Sequence, residues 1–408
     1  MPSSANPPTT SALRPATPLH SENGGSPLVL LLIAVCTAVT AANIYLAAPL
    51  LPLIAREHGT TAAAVAWIAS VAQLGYAAGL LFFAPLGDTA NRRRLVGGLT
   101  LVTTVALVAA ALAPGTGALA VAVFVAAAAT VIPQLLVPLV AERAPAARRA
   151  RHVAAVIAGL FTGIVAARVL GGLAGQAFGW RWVFAGSAAL TLVLGLATAA
   201  VLPSERRPRA ASLLSGIASL PGLMRRSPDL WRACLRQAGM FGAWSALWTS
   251  LALLLTGPAY GLSTATAGLF GLFGLAATAV APLAGGLVDR FGAQKVVRWA
   301  YLVAAVSVPL FWLGGHTMAA LWPAALAIHA ALVASHVANQ TLALTTTSTP
   351  AAANTAYVVS GFAGAALASL VAGPAFDRLG WGGVCGVAAV WLLIGWAATG
   401  AKRARRGR

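Results

Sequence analysis

Hydrophobic residues in this chain come in long blocks rather than in strand-like alternation. From Leu28 onward, apolar runs of roughly 18–25 residues follow one another across short polar gaps, and a helix of that length spans the hydrocarbon core of a bilayer. The runs predict membrane-spanning helices at 28–53, 64–85, 95–113, 118–140, 153–175 and 183–202. After a polar stretch at 203–235 they predict six more, at 236–257, 266–288, 296–313, 320–342, 355–375 and 382–399. Gly and Pro are frequent inside these runs. That composition weakens a helix in water but suits helices that pack closely in lipid.

Two landmarks recur at a constant step. The charged stretch Leu86-Gly87-Asp88-Thr89-Ala90-Asn91-Arg92-Arg93-Arg94 has a counterpart in Leu287-Val288-Asp289-Arg290-Phe291-Gly292-Ala293-Gln294-Lys295, with Asp88 and Asp289 201 residues apart. Gly179-Trp180 and Gly380-Trp381 keep the same step. Between them Phe161, Gly163 and Gly172 fall on Phe362, Gly364 and Gly373. Constant register over this distance indicates an internal duplication. The expected organisation is a disordered tail at 1–27, a six-helix bundle at 28–202, a basic linker at 203–235, a second six-helix bundle at 236–399 and a basic tail at 400–408. The tail is not a secretory signal, because the apolar run after it is too long and no cleavage pattern follows. The fold class expected is an all-α membrane protein with twelve transmembrane helices in two parallel repeats.

Composition agrees with a lipid-facing surface. The chain is 59% hydrophobic and 9% charged, where a soluble protein carries about a quarter charged residues. The net charge of +19 does not point to nucleic acid, because it sits in the short gaps between apolar runs. Cys36, Cys234 and Cys385 are scattered and have neither metal-ligand nor disulfide spacing. The gaps also set orientation. Arg92–Arg94, Arg143, Arg148, Arg149, Arg151, the central arginines, Arg290, Lys295, Arg298 and the C-terminal tail fall on one side, while Arg56, Arg181 and Arg378 fall on the other. Both termini are therefore expected in the cytoplasm.

On these features the chain resembles the major facilitator superfamily, over residues 28–399. The family's motif between the second and third helices of each half reads Gly, three residues, Asp, Arg, one residue, Gly, then basic residues. The second copy follows it through Gly285, Asp289, Arg290, Gly292 and Lys295; the first keeps Asp88 and Arg92–Arg94 but has Ala84, Thr89 and Asn91 at the other positions. Ala42-Asn43-Ile44-Tyr45, Gln73-Leu74-Gly75-Tyr76, Pro133-Gln134-Leu135-Leu136-Val137-Pro138, Ala167-Arg168-Val169-Leu170-Gly171-Gly172 and Gly179-Trp180-Arg181 are similar to a bacterial subgroup of twelve-helix drug and sugar efflux-type members. The chain departs from that subgroup at Leu46-Ala47-Ala48-Pro49, and it lacks the Arg typical of the fourth helix in drug–proton antiporters. The resemblance implies a small-molecule transporter of the bacterial inner membrane, a monomer working by alternating access in the efflux direction. It also implies that Asp88, Arg92, Arg93, Arg94, Asp289, Arg290, Gly292 and Lys295 form gating latches. The alternative for these charges is a topology signal in a solvated turn.

Candidate chemistry inside the spans is sparse. Arg168 is the one charge placed within a span, where a cation costs at least about 2.5 kcal/mol. It either attracts an anionic or carbonyl-bearing substrate or reaches the surface and helix-end carbonyls. Its counterpart 201 residues on is Ser369. All eight acidic residues fall in tails, loops or helix ends, so protons, as a coupling ion, are left His329 and His336 as candidate carriers, with Gln340 on the same stripe. The alternative is that both imidazoles are neutral packing residues. Asn43, Tyr45, Gln73, Tyr76 and Gln134 place amides and phenols along a candidate substrate pathway, with interhelical hydrogen bonding as the alternative. No metal cluster, nucleotide loop or paired nucleophile suggests an enzyme or a cofactor. The rival to transport is a membrane sensor or assembly protein built on the same scaffold.

Overall fold

The computed structural model describes residues 27–83, 85, 86, 90–144, 149–204, 213–274, 279–345 and 350–400. The predicted tails at 1–27 and 400–408, except Pro27 and Gly400, part of the linker, and Asp88 lie outside these residues. The helices of the first half are α1 (Pro27–Tyr45), α2 (Leu51–Glu57), α3 (Trp67–Phe83), α4 (Arg92–Ala111), α5 (Thr116–Ala129), α6 (Ile132–Arg143), α7 (Arg149–Phe178) and α8 (Trp180–Val201). Between the halves lies α9 (Leu213–Arg226), and the second half holds α10 (Pro228–Thr256), α11 (Thr264–Leu269), α12 (Val280–Phe291), α13 (Ala293–Leu313), α14 (Met318–Thr345) and α15 (Pro350–Ala397). Among the described residues nine helical segments, with α5 and α6 counted together as one, are long and apolar enough to cross a membrane.

Prolines divide runs that hydropathy reads as single helices. The run 28–53 stops at Tyr45, four residues before Pro49, and resumes as a short turn at Ala48–Leu50 and then α2. The run 118–140 breaks after Ala129, four residues before Pro133. In both cases the proline ring would meet the carbonyl four residues back, and the helix ends there. At the other junctions polar caps act: Ser227 Oγ accepts from Leu230 N at 3.3 Å, Ser263 Oγ from Thr266 N at 3.1 Å, and Asn91 Oδ1 from Arg94 N at 3.3 Å. Capped by Ser227, α10 begins at Pro228, two turns ahead of its apolar run at 236.

The repeated Gly-Trp pair turns the chain. Gly179 and Gly380 have φ of 87° and 62°, a left-handed conformation that disfavours any side chain. The 48 residues of α15 thereby fold into two antiparallel limbs, since Gly242 of α10 lies against both Gly364 and Trp391. The following tryptophans anchor the turns, Trp180 Nε1 donating to Glu57 Oε2 at 2.6 Å and Trp381 Nε1 to the Phe311 carbonyl at 2.5 Å.

The outer wall is apolar as well as the core, unlike a soluble protein. Val105, Val193, Val306 and Leu393 project from the bundle, 63–69% exposed, as a lipid-facing wall would. Inside, small residues bring backbones together. Gly159 and Gly163 of α7 face the Ala34 and Ala38 backbone of α1, Gly75 and Gly79 of α3 face α5, and Gly239 and Gly364 join α10 to α15. The two halves meet along two seams, α7 against α11 and α3 against α15. At the first, Gly172 abuts Thr264; at the second, Gly373 abuts Ala63. These pairs are related by the same 201-residue step, so the duplication seen in sequence reappears as a two-fold arrangement of the seams.

Candidate functional site

Arg168 sits where the seams converge. The close contacts of Gly268 and Gly271 with Arg168's own backbone and Cβ press α11 against α7 at this level. The guanidinium is 7% exposed and lies under three aromatic faces: Tyr45 of α1 at 5.1 Å, Trp244 of α10 at 5.1 Å and Trp248 of α10 at 5.3 Å from Cζ to ring centre. It does not reach the surface. Its Nη1 is buried and meets no hydrogen-bond acceptor. Removing such a cation from water costs several kcal/mol, and each desolvated cation–π contact returns about 2 kcal/mol or more, so three faces offset much of that cost. The aromatic box gives Nη1 no hydrogen-bond acceptor, so the guanidinium keeps unused binding capacity.

The box is held rigid from behind. His329 of α14 receives Trp244 Nε1–H on Nε2 at 3.0 Å and gives its Nδ1–H to the Ala325 carbonyl at 2.8 Å. That pair of bonds assigns the proton to Nδ1 and uses both nitrogens. Trp248 stands edge-on to the same imidazole, 4.2 Å between ring centres. Phe241, Trp244 and Trp248, at i, i+3 and i+7 of α10, stack nearly parallel, with angles of 4° and 6° between successive planes. Beside the cation a small cavity of about 30 Å³, lined by Pro49, Arg168, Trp248, Thr256, Thr264 and Gly268 among others, has room for a water or two.

A second polar group joins the halves through α3, α10 and α15. Gln73 of α3 pairs with Ser245 of α10, Nε2 to Oγ at 2.7 Å and Oγ to Oε1 at 3.1 Å. Ser245 in turn bonds Ser369 of α15 at 2.8 Å. Ser369, the counterpart of Arg168 in the duplication, thus also stands at the meeting of the halves. Tyr76 packs on Phe362 at 4.6 Å and accepts from Gln134 Nε2 at 3.3 Å.

Other expected site residues lie apart. Asn43 is spent inside the first half: Nδ2 reaches Thr130 and Thr191 at 3.3 and 3.1 Å, and Oδ1 accepts from Ser187 at 2.6 Å. Gln340 donates to Asn354 at 2.9 Å near the basic end of α14. His336 does not share His329's surroundings. Its Nδ1 is 3.3 Å from Gln237 Nε2 and 3.3 Å from the Tyr357 hydroxyl, which donates to Gln237 Oε1 at 2.6 Å.

The basic end differs from the pattern of paired charges within each motif. Arg92, buried at the start of α4, makes a bidentate pair with Glu142 at the end of α6, at 2.8 and 2.9 Å. Arg93 and Arg94 are exposed. In the second copy Asp289, Arg290 and Lys295 are exposed, and no ion pair joins them among the described residues. Gly292, with φ of 84°, closes α12 by donating to the Val288 carbonyl at 2.8 Å. Its counterpart Asn91 instead caps α4, so the two copies turn the chain by different means. Arg168 is also not the sole charge buried within a helix of the bundle: Arg236 of α10 is 4% exposed and donates from Nε to Asn339 Oδ1 at 2.8 Å and from Nη1 to Gln294 Oε1 at 3.2 Å.

Reading of the sequence passed over Trp244 and Trp248. Their spacing with Phe241 along one face of α10 was a visible signal, but an aromatic stripe in an apolar run is also what core packing looks like.

A duplicated helical bundle with an apolar outer wall and a charged, aromatic seam between its halves is the build of a membrane transporter. The chain matches the family model of the Major Facilitator Superfamily over residues 33–372 and belongs to that superfamily. It is 73% identical over 408 residues to the probable transporter SCO4007 of Streptomyces coelicolor, covering 99% of this chain and 95% of that one. It is 32% identical over 378 residues to the uncharacterized transporter YgaY of Escherichia coli O157:H7, covering 91% and 95%. Among solved structures it superposes on a variant of the nucleoside transporter NupG with a TM-score of 0.71 at 14% identity, covering 91% of this chain and 98% of that one. A bacterial homologue of the lysosomal transporter Spinster, inward-facing and occupied, gives 0.66 at 17% identity, covering 91% and 93%. Identities this low speak to the fold alone.

Proposed function

We propose that the chain is a secondary active transporter that carries one small molecule through the seam around Arg168 by alternating access. In this reading twelve spans form two six-helix bundles, at 28–202 and 236–399, and both termini lie on the cytoplasmic side with the basic loops. The observation that carries it is the placement of Arg168. A cation on the first half is buried against rings of the second half and keeps an unpartnered N–H, a costly arrangement for a purely structural residue. Outward transport across a bacterial inner membrane by a monomer is the direction the subgroup resemblance favours. Asp88, Arg92–Arg94, Asp289, Arg290, Gly292 and Lys295 are assigned to gating at the basic face, where Arg92–Glu142 already ties α4 to α6. His329 is assigned to holding Trp244 rather than to carrying protons, because both of its nitrogens are engaged.

The test is reciprocal accessibility. With Cys36, Cys234 and Cys385 replaced by Ser, single cysteines are placed at Ala48 and at Gln340, near opposite ends of the pathway. A compound that stabilises the protein is expected to protect one position and expose the other to a membrane-impermeant thiol reagent. Stabilisation without any change at either position would favour a sensor on the same scaffold. Asp88→Asn is expected to leave insertion intact and to lower transport; unchanged flux would remove Asp88 from the gate.

A further inference from the structure

Among the described residues the seam holds a buried cation and no buried anion. Acidic side chains among the described residues stand at helix ends, and Glu57, Glu142 and Asp229 are paired there with Arg181, Arg92 and Arg232. None reaches Arg168, whose Nη1 is buried and meets no acceptor side chain or carbonyl. What surrounds the guanidinium is apolar and aromatic: Tyr45, Trp244 and Trp248, with Phe241 continuing the stack. Of the polar groups of the seam, Gln73, Ser245 and Ser369 are satisfied by one another, and Thr256 of the cavity beside Arg168 gives its hydroxyl to the Ala252 carbonyl at 2.7 Å. A polyhydroxylated guest such as a sugar would find few free donors or acceptors there. A cation would meet an uncompensated like charge.

Resting on the reading that this seam is the transport site, we propose that the substrate is an organic monoanion: a carboxylate on an apolar or aromatic body. The carboxylate takes the free N–H of Arg168 in a charge-assisted hydrogen bond, and the body lies against the aromatic stack of α10. One guanidinium neutralises one negative charge, whereas a dianion would leave its second charge uncompensated in an apolar site. Arg168 belongs to the first half and Trp244 and Trp248 to the second. A carboxylate that draws the guanidinium off these rings exchanges a contact between the halves for a contact with cargo.

The test uses the purified full chain in detergent and four probes of one shape: benzoate, neutral benzamide, cationic benzylammonium and the dianion isophthalate. Benzoate is expected to raise the melting temperature of the wild type, with the other three giving little or no shift. Arg168→Gln is expected to weaken benzoate binding about 10- to 100-fold, while Arg168→Lys, which keeps the charge, retains part of the shift. A benzoate shift that survives undiminished in Arg168→Gln overturns the proposal. Equal shifts from benzoate and benzamide, both lost in Trp248→Ala, overturn the anionic class and leave the seam as the binding site. No shift from any of the probes overturns the substrate class and the seam assignment together.

Discussion

Arg168 and Arg236 are buried to almost the same degree, and they live in opposite circumstances. Arg236, near the basic end of α10, has amide oxygens waiting for it: Asn339 on Nε and Gln294 on Nη1. Those acceptors are themselves fixed, Asn339 by donating to the Ala233 carbonyl at 2.8 Å and Gln294 by donating to the Thr399 carbonyl at 3.0 Å. The result is a closed network that knits α10, α13, α14 and the end of α15. Arg168 has aromatic faces and an idle N–H. Burial alone therefore does not single out a functional charge. The inventory of acceptors around it does, because a satisfied charge holds the fold while an unsatisfied one keeps affinity in reserve.

The comparison breaks most readily at Arg236. Arg236→Ala strands the buried amide of Asn339 and the half-buried one of Gln294 and should cost about 3 kcal/mol, read as lower yield and an earlier thermal transition in detergent. A variant as stable as the wild type would show the network to be dispensable. Arg168→Met should act in the opposite direction. It removes an uncompensated buried charge, loses cation–π contacts, and is expected to gain about 1 kcal/mol in the same melt. A loss of stability would mean that the aromatic box meets the full needs of the cation. Between these, Glu142→Gln weakens the bidentate pair with Arg92; since Glu142 is 44% exposed and screened, a drop of about 1 kcal/mol is expected. The smallest effect sharpens the contrast between the histidines. The double substitution His329→Gln, His336→Gln should leave the pH profile of transport unmoved in proteoliposome flux. A displaced profile would return proton coupling to one of these imidazoles.

The contrast also marks what could be read without coordinates. The spans were legible because a bilayer imposes one length scale on every run, and the duplication because Asp88, Gly179 and their counterparts keep one step. Arg168 stood out as a lone charge in an apolar run. Arg236 did not, since it sits at the edge of its run and looked like one more basic residue of the linker. Only folding brings Asn339 and Gln294, distant in sequence, to its side. The breaks at Tyr45 and Ala129 follow from Pro49 and Pro133, yet hydropathy carries straight through them, because proline in a helix in lipid can kink as readily as stop. Asn43 looked like a pathway residue for the same reason that Gln73 did. What separates them is which helices lie opposite: Thr130, Thr191 and Ser187 of its own half use up Asn43, while Gln73 crosses to Ser245 of the other.

The unpaired state of Arg168 has an electrical consequence. A carrier that neutralises its cargo on a fixed guanidinium, and takes up no proton in exchange, moves the cargo's own charge across the membrane in each cycle. One elementary charge crossing 100 mV is worth about 2.3 kcal/mol. For an anion leaving an interior that is negative, that work has the favourable sign. Under the proposed export of a monoanion, the voltage already standing across the bilayer would drive the cycle, and the rate should follow an imposed potassium diffusion potential while ignoring a pH step of equal free energy.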